Sequence, residues 1–160
     1  MVATMKPIIL NMEQAEAIAQ RGLNVLCRPA LSLTCPFEDD DEMWVREAWD
    51  CALGPLGETE TYLYRADLDE KDRCKVQWKP SIHMKATIAR YGLKVIRWTR
   101  ARLGMLDEFD AIRCGYRTLA HMRKVWDRYY KRRGLAWDPV LPIFFIAVRT
   151  FRLHEETDHE

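Results

Sequence analysis

No apolar run in this 160-residue chain approaches the roughly 18 residues that a helical bilayer span requires, so no membrane partner is expected. The opening residues, Met1-Val2-Ala3-Thr4-Met5-Lys6, hold no apolar stretch of the kind found in a secretory signal, and the expected location is the cytoplasm. The five cysteines, Cys27, Cys35, Cys51, Cys74 and Cys114, are odd in number and form no Cys-x-x-Cys pair. That pattern fits reduced thiols better than a disulfide framework or a structural zinc site. His154 and His159 lie in an acidic tail whose expected state is a frayed terminus rather than a metal site. A P-loop, a G-x-S-x-G elbow, an H-E-x-x-H helix and a Rossmann fingerprint are all missing, so no cofactor is expected. Internal repeats and low-complexity segments are missing too.

What is present is ordinary in bulk and uneven in detail. With 48% hydrophobic and 31% charged residues, the chain is expected to form one domain with a substantial core. The formal net charge of +1 hides a partition. Residues 1–78 carry 8 Lys/Arg against 15 Asp/Glu, residues 79–134 carry 15 against 4, and residues 135–160 carry 2 against 5. The middle third is therefore strongly cationic, as a protein with a polyanionic partner would be, unless the acidic and basic parts neutralise one another in the fold.

Two aromatic, charged segments stand out. In Trp44-Val45-Arg46-Glu47-Ala48-Trp49, strand alternation puts Trp44, Arg46 and Ala48 on one face and Val45, Glu47 and Trp49 on the other. Each face mixes apolar groups with charge. In Trp78-Lys79-Pro80-Ser81-Ile82-His83-Met84, an indole, an ammonium, a hydroxyl and an imidazole surround a proline that discourages helix. Flat rings beside cationic and hydrogen-bonding groups suit a ligand with a flat base and a phosphate. The alternative for each Trp is core packing, and for each charge, solvation.

The pattern along the chain predicts mostly strands with a few helices. Pro7–Leu10 is predicted as a short strand. Asn11 and Gln14 make a capping box for a helix over 12–21, closed by Gly22. Strands follow over 24–28, 43–49 and 61–65, with an acidic loop over 29–42 and a Gly/Pro loop over 50–60. Residues 66–77 form a charged connection, and 79–84 are irregular. A long strand with a half-exposed basic face covers 93–103. Asp107 caps a short helix ended by Gly115. The helix over 118–132 carries a stripe of Leu119, Met122, Val125, Trp126, Tyr129 and Tyr130, with Arg123, Lys124 and Lys131 outside it, and Gly134 stops it. A final strand, 142–151, is apolar without a break from Ile143 to Val148 and so is expected to be buried on both faces. The expected class is α+β: a small mixed β-barrel with helices packed on its ends.

In Lys6-Pro7-Ile8-Ile9-Leu10, the Met43–Trp49 string, Tyr64-Arg65-Ala66-Asp67 and the Trp78–Met84 string, followed by Asp107-Glu108-Phe109-Asp110-Ala111, Trp126-Asp127-Arg128-Tyr129-Tyr130 and Gly134-Leu135-Ala136-Trp137-Asp138, the chain resembles the ASCH-domain proteins encoded by phages and prophages. The resemblance runs over 6–152, leaving 1–5 as an extension and 153–160 as a tail. It implies a PUA-like barrel and RNA binding. One branch of the family hydrolyses N4-acetylcytidine with a Lys and a Thr from a G-x-K-T-x-T-x-R signature and a later Glu. Aligned on Gly22, the Lys position is Asn24, the two Thr positions are Val25 and Cys27, and only Arg28 survives. The Glu position is Cys114. Losing the carboxylate forfeits acid–base chemistry typically worth about 100- to 10,000-fold in rate. The two cysteines are expected to be buried, inert thiols.

The expectation is therefore a non-catalytic nucleic-acid-binding module. Arg28, Lys79 and Lys85 would meet phosphate, and Arg46 would stand beside them. Ser81 and His83 would hydrogen-bond a base or sugar, and Trp78 or Trp49 would be the stacking platform. Two rivals remain: an amidohydrolase acting on N4-acylated cytidine, and a phage protein that binds a host protein.

Overall fold

A computed structural model describes residues 5–53 and 60–154. The Gly54-Pro55 and Gly57 loop signals, nearly all of the N-terminal extension and most of the acidic tail, His159 included, lie outside the described residues. The strands are β1 (Lys6–Ile9), β2 (Val25–Pro29), β3 (Glu42–Arg46), β4 (Trp49–Leu53), β5 (Glu60–Tyr64), β6 (Tyr91–Arg102) and β7 (Pro142–Arg152). The helices are α1 (Met12–Arg21), α2 (Glu70–Arg73), α3 (Glu108–Arg113) and α4 (Leu119–Tyr130). The α+β class is as expected.

Five strands form one mixed sheet in the order β1-β3-β6-β7-β2, and β4 and β5 form a separate hairpin. β1 runs parallel to β3; the other pairs are antiparallel. The spine is the long β6–β7 ladder, from Tyr91↔Arg152 to Arg102↔Pro142. Its register shifts between Val95 and Arg97, which leaves Ile96 as a bulge that bends the sheet. Among the described residues the ladder does not close into the expected barrel. The edges β1 and β2 are joined by a side chain instead, with Arg28 Nη2 donating to the Ile9 carbonyl at 2.9 Å.

Alternation explains the unbroken apolar run of β7. Phe144, Ile146 and Val148 face one core with Leu26, Val45, Leu93 and Ile18 of α1. Ile143, with Phe145 beside it, faces a second core with Val25, Cys27, Met122, Val125 and Trp126. The sheet thus has α1 on one face and α3–α4 on the other.

The local signals act as read. Asn11 Oδ1 accepts from Gln14 N–H at 2.8 Å, and Gln14 Oε1 accepts from Asn11 N–H at 3.1 Å. Gly115, at φ +94, closes α3 where an added Cβ would stand 3.2 Å from the Ala17 methyl. On α4, Met122, Val125 and Trp126 are buried while Arg123, Lys124 and Lys131 are exposed. Tyr129 departs from the predicted stripe: it is 47% exposed.

The predicted single strand over 43–49 is a larger correction. It is two strands in two sheets, and part of the predicted 50–60 loop is β4. The break comes at Glu47, whose carboxylate is buried and accepts both Arg90 Nη2 at 2.7 Å and Nε at 3.2 Å. Satisfying that charge turns the chain out of the main sheet. Before the break, the predicted alternation holds: Arg46 stacks on the Trp44 ring at 4.8 Å, and Val45 enters the opposite core.

Candidate nucleotide-sized cavity and its basic rim

The unclosed seam between β1 and β2 borders a cavity of about 390 Å³. Ile9 and Leu10 line it from one edge, and Cys27 and Arg28 from the other. α4 supplies an aromatic wall of Trp126, Tyr129 and Tyr130, with Arg133 just beyond. Trp126 is held by its indole N–H donating to the Leu135 carbonyl at 2.8 Å and by the Tyr130 ring 4.5 Å away. The remaining side comes from the Glu47-Ala48 link, the turn at Arg65-Ala66, and Ser81. The volume falls within the range usual for small-molecule sites.

The polar groups are unbalanced in one direction. Their acceptors are engaged: Glu47 by Arg90, Asn11 Oδ1 and Gln14 Oε1 by the capping box. Several of their donors are not. Arg28, Arg65 and Arg133 form no ion pair with any carboxylate of the described residues. The Nε groups of Arg28 and Arg65 are buried without a protein acceptor. The Tyr116 hydroxyl accepts from Asn11 Nδ2 at 2.9 Å, and burial lifts its pKa well above the ordinary tyrosine value, so it stays a neutral donor. Tyr129 is likewise raised, by burial, against the pull of Arg128 and Arg65. A second hollow of about 430 Å³, which shares Arg65, differs in its carboxylates: it is lined by Glu13, which meets Arg128 at 3.1 Å, by Glu16, which meets Arg73 at 3.4 Å, and by Glu70.

Of the eight residues expected from sequence, Arg28 and Ser81 line the cavity. The 78–85 segment is irregular as expected, with a 3₁₀ turn over Ser81–His83. Buried Met84 anchors it against Trp44, leaving Lys79, His83 and Lys85 exposed. Lys79 N–H donates to the Trp49 carbonyl at 2.8 Å, and its ammonium lies 5.5 Å from the Trp49 ring. Trp49 is half-buried against that cluster, and its indole N–H is buried without an acceptor. Trp78 is half-buried and donates to the Arg73 carbonyl at 3.0 Å. Arg46 lies on Trp44 and does not line the cavity.

Sequence reading missed Arg65, Arg133 and Tyr116. The positions equated with catalytic residues are also located. Asn24 is exposed and away from the cavity. Cys27 borders it, and its Sγ lies 3.4 Å from that of Cys114. That contact and burial hold the Cys27 thiol well above its ordinary pKa, so it is protonated and a poor nucleophile. No protein-family model, curated protein or solved structure matches the chain.

Proposed function

We propose that this protein is a non-catalytic nucleic-acid-binding module of the PUA-like, ASCH type, acting on single-stranded RNA. The observation that carries it is the cavity at the β1–β2 seam, lined by arginines without carboxylate partners and by an aromatic wall. A single-stranded nucleic acid combines phosphate with flat bases, and proteins that hold it join cationic grooves to aromatic platforms. The exposed Arg97, Arg100 and Arg102 of β6 and Lys131-Arg132-Arg133 after α4 extend positive charge over the surface. The RNA preference and the phage or prophage origin rest on the resemblance alone. Against an amidohydrolase stands the chemistry at the equated positions: an exposed amide at Asn24, a protonated thiol at Cys27 and no carboxylate at Cys114.

The test is titration of a labelled, unstructured RNA strand by fluorescence anisotropy at several salt concentrations. Binding that weakens steeply as salt rises is expected. Absence of binding even at low salt overturns the proposal in favour of a protein partner.

A further inference from the structure

We propose that the seam cavity is a nucleoside-monophosphate site, with Arg28 and Arg65 as its phosphate-binding residues and the α4 aromatics receiving the base. The inference deepens the RNA-binding proposal and rests on it for the polymer, but the site would also take the free mononucleotide.

The argument begins from the count of donors and acceptors. A cavity whose carboxylate and amide acceptors are engaged, and which keeps several arginine, amide and hydroxyl donors free, favours an acceptor-rich ligand. Arg28 spends one N–H on the Ile9 carbonyl and keeps the rest of its fork. Arg65 makes no side-chain hydrogen bond within the described residues, although its Nε is buried. Gln14 is 5% exposed, and its amide nitrogen has no partner among the described residues. Tyr116, 7% exposed, accepts one bond and retains its own proton for donation. A buried donor left unpaired is costly, more so on a charged group, and a bound anion would relieve that cost.

The charge narrows the ligand further. Three arginines without carboxylate partners line this one cavity, and planar guanidinium forks suit phosphate. A bare phosphate would fill only part of about 390 Å³ and would leave the aromatic wall unused. A ligand with a flat ring and a phosphate one sugar apart uses both the arginines and the rings. Tyr129, half-exposed at this wall, is the ring most open to stacking. The neighbouring hollow also borders Arg65, but three carboxylates, Glu13, Glu16 and Glu70, line it and disfavour an anion, whereas the one carboxylate of the seam cavity, Glu47, is held by Arg90.

The experiment compares adenosine and uridine monophosphates with their nucleosides and with inorganic phosphate, by isothermal calorimetry and thermal shift on the full chain. Both monophosphates should bind at least tenfold more tightly than the nucleosides and more tightly than phosphate. Arg65→Gln and Arg28→Gln should each lower that affinity about tenfold or more. Lys124→Ala, on the exposed face of α4, should leave it unchanged, and circular dichroism should show all three variants folded. Arg28→Gln also removes a seam hydrogen bond, so Arg65→Gln is the decisive variant. Equal affinity for nucleosides and monophosphates overturns the proposal, as does an Arg65→Gln protein that binds them as the wild type does. RNA binding without mononucleotide binding defeats this inference and leaves the module standing. Mononucleotide binding sensitive to Arg65, without RNA binding, does the reverse.

Discussion

Cys27 and Cys114, on β2 and at the end of α3, hold their sulfurs 3.4 Å apart in the buried layer under the seam cavity. These are the positions that the ASCH resemblance equates with a catalytic Thr and Glu. A hydroxyl beside a carboxylate makes a polar pair capable of proton transfer. Two thiols make a small apolar contact with a weak hydrogen bond, which suits packing and not acid–base work.

Thiol chemistry should follow from that burial. Cys74 is exposed, so a thiol reagent at mildly alkaline pH should modify it first. Cys27 and Cys114 should react only on unfolding, because the Cys27 thiol is raised by its contact with Cys114 and by burial. Peptide mass spectrometry before and after denaturation resolves the order. In parallel, the protein should release no cytidine from N4-acetylcytidine. Turnover above background that disappears in Cys114→Ala would instead establish an enzyme.

Trp126 is the anchor of the aromatic wall. It is 4% exposed, contacts Tyr130 and Trp137, and donates to Leu135. Trp126→Ala should cost roughly 3–5 kcal/mol, as other buried aromatic truncations do. Tyr129→Ala should cost far less, since that ring is half-exposed. Chemical denaturation of the two variants checks the pair, and equal losses would mean that Tyr129 is structural.

The Glu47–Arg90 pair makes a pH prediction. Burial raises the Glu47 carboxyl above its ordinary value of 4.5, even though the bidentate Arg90 contact pulls it down. A raised carboxyl favours the folded state fully below the unfolded value, and that contribution is lost as pH rises through the folded value. Arg90→Met removes the lowering contacts, along with the guanidinium over the Tyr64 ring at 3.9 Å. It should cost about 3–5 kcal/mol at neutral pH. The loss relative to wild type should shrink as pH falls towards 5, because protonation neutralises the stranded carboxyl. Adding Glu47→Met should recover much of it. Melting temperatures across pH 5 to 8 test both points; a loss that does not vary with pH would place the effect in packing alone.

The contrast between Asn11 and Glu47 shows what the sequence could reveal. The Asn11–Gln14 box, the Met122–Trp126 stripe and the long β6 and β7 strands depend on neighbours within a few residues or on simple periodicity, so they were legible. Glu47 breaks a strand because of Arg90, 43 residues away, which no local pattern records. Likewise Ser81 is legible from its unusual aromatic, charged segment, and Arg28 only from its place in the family resemblance. Arg65 and Arg133 sit in ordinary charged stretches and meet only when β2, α4 and the turn after β5 converge. The expected barrel failed at the β1–β2 seam for the same reason. Strand pattern gives the number of strands, while closure depends on which edges pair.

Charge and stacking should separate on the irregular 78–85 segment. Lys79 and Lys85 are exposed, and the backbone beneath them is fixed by the Lys79–Trp49 bridge and by buried Met84. Their substitution should therefore leave the fold intact. Each neutralised phosphate releases counterions, with a slope of about −0.7 per contact on a single strand. Lys79→Ala and Lys85→Ala should each weaken RNA binding across all sequences and flatten the salt slope by less than about one unit. Trp78 is uncharged, and its N–H is tied to the Arg73 carbonyl. If a base stacks on it, Trp78→Ala should cost about 1–3 kcal/mol of binding with the slope unchanged. Anisotropy titrations at four salt concentrations give affinity and slope together. An unchanged slope in both lysine variants would move the phosphate track off this segment, towards Arg97, Arg100 and Arg102 on β6.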